Sequence, residues 1–367
     1  MLSKVVIKNF KALRYAEIPL VNLNIITGVN SSGKSSLLQI ILLTKQISKK
    51  DSKVFLNGEF VELGTVNDIL NNFNIEDKIE ITLETVDKKS TTWTINNTDK
   101  LLSKDAAKIN IDGEQKLLSK INSRIRYLSA ERIGAEFMYT AQSNGADLGT
   151  KGERTVAFIN DNMDLKISKD LIHPNSGESG NKKDALGTNI NEWMTELSPG
   201  ISLKFETNHK LRAANMTASY YSESLIRDIT PKNFGFGLSY CLPFVTLLLS
   251  ARKGDILLIE NPEAHIHPTG QTKLGYLSAL VAASGVQLII ETHSDHFFNG
   301  VRLAIKENKI NNKQFNGYYF DKKLEGEKST QTLNTVVNKV ELYDNGKILN
   351  APSGFFDEWQ NTLFKLL

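Results

Sequence analysis

The sequence predicts an α/β fold with a core of mixed, largely parallel strands, and two segments carry this prediction. Near the start, a strand over Leu23–Thr27 runs into a glycine-rich loop, and a helical pattern over Ser36–Ser48 follows. Later, the short apolar runs Ile256–Ile259 and Val286–Glu291 are typical of buried parallel strands. The helical pattern of Gln271–Ala283 lies between them, so this part is predicted to form a strand–helix–strand unit.

The other patterns divide the chain into three parts. We expect a β-rich N-terminal part over residues 1–140, an inserted arm over 141–230 and a C-terminal part over 231–367. The inserted arm is expected to be helical or irregular, and its polar stretch Ala141–Asn191 predicts a mobile loop over Asn175–Asn189. The remaining expected elements are a first strand over VVIKNF, a hairpin over Glu76–Asn97, strands at Ile125–Leu128, Ile201–Glu206 and Met216–Tyr221, and a helix over Gly237–Ser250.

Composition excludes several classes of protein. The 367 residues are 40% hydrophobic, which is enough for one large core or two moderate ones. The net charge of +3 does not indicate a nucleic-acid binder, although the lysines of residues 100–120 leave a local basic patch open. A single cysteine, Cys241, excludes an internal disulfide. Since no apolar run approaches the roughly 20 residues that span a bilayer, we expect a cytoplasmic protein without a membrane partner.

Residues Gly28 to Ser35 read GVNSSGKS and match the phosphate-binding pattern G-x-x-x-x-G-K-[ST]. Glycines let the backbone wrap closely around phosphates, and the following helix adds its positive N-terminal end. Lys34 is expected to reach the β- and γ-phosphates of ATP and to act in catalysis, and Ser35 to offer its hydroxyl to Mg²⁺. The predicted nucleotide-binding residues of this loop are Gly28, Asn30, Ser31, Ser32, Gly33, Lys34, Ser35 and Ser36.

A second motif, ILLIENPEAHIHP, begins at Ile256 and runs four apolar residues into an acid. Glu260 is predicted to hold Mg²⁺, and Glu263 is a candidate for orienting or deprotonating the attacking water. After the last strand, His293 is a candidate for contact with the γ-phosphate, although Ser294 and Asp295 fit a plain helix cap equally well. A metal site at His265, His267 and His296 is a weaker alternative.

A glycine motif, NFGFGLS, precedes the apolar helix of the C-terminal part. Gly235 and Gly237 expose backbone amides at a helix N-terminus, which forms a second anion site by the same physics. One nucleotide does not need two such loops from one chain, so a face-to-face dimer is predicted, with each loop capping the partner's γ-phosphate. The residues assigned to this role are Asn233, Gly235, Gly237 and Ser239. The bland alternative is a helix start with glycines for close packing.

These motifs together, with the opening IKNFKAL and the tail PSGFFDEW, resemble AAA-type ATPases with a DUF3696 C-terminal region. That group is similar to the ABC-like ATPases, which include the OLD, RecF and SMC proteins. The resemblance implies a P-loop NTPase fold of the ABC type and a homodimer that holds two ATP molecules at its interface. It implies that Gly235–Ser239 is the signature loop, that His293 is the switch histidine, and that His267 lies in a loop touching the opposite subunit.

The sequence departs from the wider ABC group at the catalytic base. Where that group usually places a glutamate, this chain has Asn261, and an amide cannot act as a base. Either Glu263 takes the role or hydrolysis is slow. The glutamine that usually contacts Mg²⁺ has the weak candidates Gln39 and Gln142, and Glu131 with Arg132 occupy a plausible loop.

Three functions follow from these motifs. The first is an ATPase whose dimer acts as a switch for a separate effector, a nuclease or toxin, in bacterial anti-phage defence, as the resemblance implies. The second is a nucleotide-locked scaffold that hydrolyses little ATP and holds a partner protein, which Asn261 favours. The third is a DNA-repair clamp similar to RecF or SMC heads, for which nucleic-acid binding is open.

Overall fold

The computed structural model describes residues 1–48, 52–71, 78–96, 106–141, 147–177, 182–222, 225–233, 235–325 and 332–366. Their contacts form two compact units. Unit 1 comprises Met1–Ile125, Phe315–Leu342 and Ile348–Leu367, and unit 2 comprises Arg126–Gln314 and Tyr343–Lys347. The three-part division into residues 1–140, 141–230 and 231–367 stays a prediction.

Strands and helices alternate along much of the chain. The strands are β1 Leu2–Phe10, β2 Leu13–Pro19, β3 Leu23–Gly28, β4 Ile47–Ser48, β5 Lys53–Phe55, β6 Lys78–Thr85, β7 Ser90–Asn96, β8 Ala106–Gly113, β9 Ile125–Leu128, β10 Tyr139–Thr140, β11 Ile201–Asn208, β12 Ala213–Ser222, β13 Leu225–Ile229, β14 Ile256–Glu260, β15 Gln287–Glu291, β16 Phe315–Glu325 and β17 Thr332–Val340. The helices are α1 Lys34–Leu43, α2 Val66–Ile69, α3 Gln115–Asn122, α4 Thr155–Asp161, α5 Leu186–Leu197, α6 Phe236–Leu249, α7 Pro268–Ala283, α8 Asp295–Lys306 and α9 Glu358–Leu366. Each helix in the described ranges is too short or too polar to cross a membrane.

Unit 1 contains the β-rich part that the sequence predicts. Seven antiparallel strands form a sheet in the order β2-β1-β6-β7-β8-β5-β4, and the predicted hairpin is β6 with β7. Burial alternates along β6, so one face of this sheet packs into a core. A second group has the order β17-β16-β3, with β16 parallel to β3 and antiparallel to β17. This group carries the glycine-rich loop at the end of β3.

Unit 2 contains the predicted strand–helix–strand unit. β14 and β15 pair in parallel, with Glu260 opposite Glu291, and β9 lies next to β14. All of β15 and the first four residues of β14 are buried, which is why both segments are almost wholly apolar. A four-stranded antiparallel sheet, β10-β12-β11 with β13 on β12, completes this unit.

Two expectations about local structure are wrong. The mobile loop expected over Asn175–Asn189 extends too far, because α5 begins at Leu186; α4 lies earlier in the same polar stretch. The apolar positions of α5 recur at helical spacing, and Leu186, Ile190, Trp193 and Met194 are buried, so packing fixes a helix whose other positions are polar. Residues 178–181 of the expected mobile loop lie outside the described residues.

The helix expected over Ser36–Ser48 ends at Leu43. A 3-10 turn over Thr44–Gln46 follows, and the chain then enters β4. The buried Gln46 amide explains this exit, since its Nε2 donates to the carbonyl of Phe55 at 2.7 Å and its Oε1 accepts from the amide of Val61 at 3.0 Å. These bonds tie the end of α1 to the segment after β5.

Candidate functional site

The phosphate loop leaves β3 and enters α1 through a left-handed glycine. Gly33 is the N-cap of α1 at φ 94°, and its carbonyl accepts from the amide of Ser36 at 3.1 Å, so the loop turns directly into the helix N-terminus. Lys34 is buried, and its ammonium donates to the carbonyls of Gly28 at 2.9 Å and Val29 at 2.8 Å. The loop therefore holds a cation against its own backbone, in the place where the sequence predicts phosphate binding.

The β16–β17 hairpin supports this loop from the far end of the chain. Gly28 has φ 136°, and a Cβ there would lie 2.1 Å from the carbonyl oxygen of Phe320 in β16, so the position excludes every other residue. The amide of Val29 donates to that same carbonyl at 3.0 Å. From β17, the hydroxyl of Thr335 donates to the carbonyl of Ser32 at 2.9 Å. The sequence motif gives no signal for these partners, which lie about 300 positions away.

A cavity of about 580 Å³ opens beside the phosphate loop within unit 1. Lys11 reaches into it and donates to Oε1 of Gln39 at 2.9 Å, and burial lowers the pKa of Lys11. Lys11 was not predicted, whereas Gln39 is now placed beside the loop; Gln142 lies outside the described residues. The other lining residues include Ala12, Ser31, Gly33, Lys34, Ser35, Ser36, Asp68, Asn71, Lys322 and Thr335. Asn30 is exposed and Ser32 is buried under the loop.

In unit 2, Glu260 lies at the end of β14 with both carboxylate oxygens engaged. Oε1 accepts from the Tyr127 hydroxyl at 3.1 Å, and Oε2 accepts from the amide of Ala130 at 3.2 Å. Burial raises the pKa of Glu260, and these two hydrogen bonds oppose the shift. Burial, followed by the nearby carboxylate, raises the pKa of Tyr127. The acid is thus held in one orientation by β9, which carries Tyr127, and by the segment that follows it, which carries Ala130.

Arg132 binds the backbone of this acid and of the residue that follows it. Its buried guanidinium donates to the carbonyls of Glu260 and of Asn261, the latter at 3.2 Å. Asn261 has φ 44°, a left-handed conformation that asparagine tolerates better than a glutamate. Glu131, its neighbour in the predicted loop, is turned away and pairs with Lys151 at 2.8 Å. Of these two candidates, only Arg132 contacts the acid motif.

Glu263 and His293 lie together just after the ends of β14 and β15. Glu263 is buried, and its Oε1 accepts from the backbone amide of His293 at 2.7 Å. Its other oxygen, Oε2, is buried without a hydrogen-bond partner among the described residues. The side chain of His293 is exposed. This arrangement gives a fixed carboxylate beside an accessible imidazole.

The helix-cap interpretation of the next residue is also correct. Ser294 is the N-cap of α8, and its hydroxyl accepts from the amide of Phe297 at 2.9 Å. The segment between Glu260 and α7 is called the acid turn. Gln271 of α7 joins it to this cap, since its side chain accepts from the Ser294 hydroxyl at 2.5 Å and donates to the carbonyl of Ile266 at 2.8 Å. The acid turn and His293 are therefore joined by one network of hydrogen bonds.

The two glycines of NFGFGLS have different structural reasons. A Cβ at Gly237 would lie 2.3 Å from the carbonyl oxygen of His265, so this glycine allows close packing on the acid turn. Gly235 has φ 96° and is exposed, and among the described residues other than its chain neighbours no atom lies within 4 Å of the place where its Cβ would be. Asn233 is also exposed, whereas Ser239 is buried. The packing alternative thus explains Gly237 and leaves Gly235 facing open space.

Tyr240, one position after the motif, ties the signature helix α6 to the rest of the site. Its hydroxyl donates to the carbonyl of Ala130, and the Arg132 guanidinium lies 4.9 Å from its ring centroid. The His265 ring meets the Tyr240 ring edge-on at 5.0 Å. His267 is the N-cap of α7 and accepts from the amide of Thr269 at 3.3 Å. In the described part of the chain, no group of three or more histidine, cysteine, aspartate and glutamate side chains is arranged to hold a metal ion.

Sequence comparison assigns the family. A family model described as "AAA domain, putative AbiEii toxin, Type IV TA system" matches residues 23–299, which is most of the chain. The chain belongs to this AAA-domain family. A second model, described as a protein of unknown function (DUF3696), matches residues 310–366 and so covers the β16–β17 hairpin and α9 of this AAA-domain protein. A search of curated proteins finds no match.

Solved structures similar to this AAA-domain protein include heads of SMC proteins. The SMC head with an extended coiled coil, bound to the C-terminal domain of ScpA derived from Pyrococcus furiosus, has a TM-score of 0.53 at 12% identity, covering 100% of this chain and 99% of that chain. The SMC head bound to the C-winged helix domain of ScpA has 0.47 at 14%, covering 91% and 98%, and the SMC head domain from Thermotoga maritima has 0.45 at 12%, covering 93% and 99%. The first of these likenesses confirms the predicted ABC-ATPase type of P-loop fold.

Proposed function

We propose that this protein binds and hydrolyses ATP, and that two copies hold the nucleotide between the phosphate loop of one and the signature loop of the other. The observation that carries the proposal is the phosphate loop itself. A buried lysine held against loop carbonyls, a left-handed glycine at a helix N-terminus and an adjoining cavity of about 580 Å³ form a cradle for a triphosphate. When a triphosphate enters, Lys34 exchanges its carbonyl contacts for phosphate oxygens.

The residues present also fit Mg²⁺. A hydroxyl at Ser35 and a carboxylate at Glu260 are hard oxygen ligands, and Mg²⁺ would neutralise charge that develops on the phosphates. Glu260 must be ionised for this role. Because burial raises its pKa, the hydrogen bonds from Tyr127 and Ala130 are what favour the ionised form.

We assign Glu263 as the general base in place of the glutamate that Asn261 replaces. Its Oε1 is fixed by the amide of His293, and its Oε2 has no hydrogen-bond partner among the described residues. Because Oε2 is buried, the attacking water must enter the closed site to give its proton to this oxygen. The exposed imidazole of His293, next to Glu263, is suited to contact with the γ-phosphate. This geometry favours slow hydrolysis over no hydrolysis, since Glu263 supplies a carboxylate two positions after Asn261, which occupies the usual position of the base.

The conformation and exposure of Gly235 support the proposed dimer. Its exposed, left-handed backbone has open space around it, and its own unit gives no packing reason for the glycine. A phosphate of the partner's nucleotide fits such a loop, because backbone amides at a helix N-terminus bind anions. Asn233 and the loop amides would cap the γ-phosphate, with Ser239 supporting the start of α6 from its buried position.

For the biological role, we propose a nucleotide-dependent switch that controls a separate effector in bacterial anti-phage defence. The family description, which names a toxin of a toxin–antitoxin system, supports this direction. The alternative of a nucleotide-locked scaffold draws support from Asn261, whose buried amide oxygen has no hydrogen-bond partner among the described residues. A DNA clamp would use the exposed Lys108, Lys116 and Lys120.

The test is ATP turnover by the purified protein with Mg²⁺, with Lys34→Ala as the blank. We expect turnover that falls at least about 100-fold in the variant, since the lysine neutralises the transferred phosphoryl group. Binding of ATP without turnover, under conditions where the dimer forms, would contradict the enzyme proposal and favour the scaffold.

A further inference from the structure

An exposed leucine pair lies at the outer end of the β16–β17 hairpin, in unit 1. Leu324 and Leu333 are direct cross-strand partners, and they are 64% and 44% exposed. Residues two apart on a strand share a face, so the pair lies on the face of Lys322 and Thr335. Those two residues and Leu333 line the cavity beside the phosphate loop. We call Leu324 and Leu333 the hairpin patch.

A second exposed apolar pair lies beside the signature loop, in unit 2. Phe137 and Met138 are 59% and 70% exposed, immediately before β10. Lys232, which is followed directly by the signature motif, fixes their position. Its ammonium lies 4.6 Å from the Phe137 ring centroid and 3.4 Å from the carboxylate of Glu136. We call Phe137 and Met138 the signature patch.

We propose that the hairpin patch of one copy packs on the signature patch of a second copy, and that this contact holds the nucleotide sandwich together. The proposal rests on the proposed function, which brings the phosphate loop of one copy to the signature loop of the other. Each patch flanks one of these two loops, so the same approach brings the patches together. In a twofold dimer the contact occurs twice.

The two patches are complementary in more than apolar character. Two aliphatic side chains on a sheet face offer a shallow surface for an aromatic ring and a flexible methionine, which adapts to irregular gaps. Lys322 borders the hairpin patch, and Glu136 borders the signature patch. Glu136 pairs with Lys232 but its side chain is still half exposed, so it can also accept a contact from Lys322 of the other copy. In a monomer, both apolar pairs are exposed to water, which is unfavourable. Packing the two pairs against each other in a dimer removes this exposure.

The experiment measures the dimerisation constant by analytical ultracentrifugation, with Mg²⁺ and a non-hydrolysable ATP analogue. The variants are Leu324→Ser with Leu333→Ser, and Phe137→Ser with Met138→Ser. Each pair should weaken the dimer by at least about tenfold, since apolar area is lost twice per dimer. Affinity for the analogue, measured on dilute monomer, should stay unchanged in the Phe137 and Met138 pair and in Leu324→Ser alone, because none of these three residues lines the cavity beside the phosphate loop. Val86→Ser and Leu303→Ser, which are also partly exposed and lie elsewhere, serve as matched controls.

A second measurement tests which surfaces meet. Chains carrying Leu333→Cys are mixed with chains carrying Met138→Cys, and mild oxidation is applied with the analogue present; the native Cys241 is buried. A covalent dimer that requires both variants and the analogue supports the proposal. Wild-type dimerisation that both serine pairs leave unchanged overturns it while the proposed function stands. A wild-type chain that never dimerises with nucleotide overturns the proposed function as well.

Discussion

The phosphate loop and the acid motif are held in place in opposite ways. Around the loop, the contacts of its charged residue are local: Lys34 binds carbonyls five and six positions before it, and Gly33 starts the helix that follows. The distant β16–β17 hairpin contacts the backbone of this loop. Around the acid motif, the contacts of the charged residues are distant. Glu260 is oriented by Tyr127 and Ala130, about 130 positions earlier, and Glu263 by His293, 30 positions later.

The difference shows that a phosphate cradle is a property of a short segment, whereas a catalytic carboxylate depends on the packing of several elements. The backbone of the cradle supplies its own chemistry, so glycine and lysine at fixed spacing suffice. A buried carboxylate stays ionised only if other segments bring donors to it. Variants of the acid motif's distant partners should therefore matter more than variants of the loop's distant partners.

The largest effect is expected at Glu263. Glu263→Gln keeps the shape and the hydrogen bond from His293, but removes the base, so turnover should fall roughly 100-fold or more. Binding of ATP should change little. Single-turnover measurement separates the two steps. Turnover close to wild type would show that this carboxylate is not the base, and that the acid turn is a structural element only.

Gly237→Ala should have the next largest effect. Its new methyl group would lie 2.3 Å from the carbonyl of His265, so the signature helix must shift from the acid turn, at a cost of about 1–3 kcal/mol. Thermal unfolding measures this loss. Gly235→Ala is the matched control, since it meets no neighbour and carries only backbone strain. Equal melting temperatures for the two variants would contradict the packing described here.

Tyr127→Phe removes a hydrogen bond that lowers the pKa of Glu260. That pKa is already raised by burial, so it should rise further, and the ionised acid should form only at higher pH. Activity rises with pH as Glu260 ionises, so the acidic limb of the rate profile should move to higher pH, with turnover several-fold lower at pH 7. A profile that does not move would mean that groups other than Tyr127 determine the pKa of Glu260.

The smallest effect is expected at Thr335→Val, which removes the hydroxyl that donates to Ser32. If the phosphate loop is locally determined, this loss should be about 1 kcal/mol in stability and only a few-fold in affinity for ATP. Titration with a fluorescent ATP analogue and thermal unfolding measure the two quantities. A loss as large as that of Lys34→Ala would show that the hairpin shapes the loop, and the contrast between the two regions would fail.

The same contrast explains how far sequence reasoning reaches. The parallel strands β14 and β15 and the phosphate loop were predictable, because apolar runs and fixed glycine spacing act locally. Helix α5 was hidden, since its buried face interrupts a polar stretch and only tertiary packing reveals it. Tyr127, Lys11 and Thr335 carry no motif of their own. The different reasons for Gly235 and Gly237 also appear only in three dimensions.

The most direct test of the shared site is complementation between two inactive variants. Lys34→Ala disables the phosphate loop, and Gly235→Asp places a negative charge in the signature loop. An equal mixture should recover up to about a quarter of wild-type turnover, because half of the dimers are mixed and each has one intact site. Lys34→Ala mixed with Glu260→Gln should recover none, since both act on the same nucleotide. If the first mixture is no more active than its two components measured apart, the two copies do not share the site.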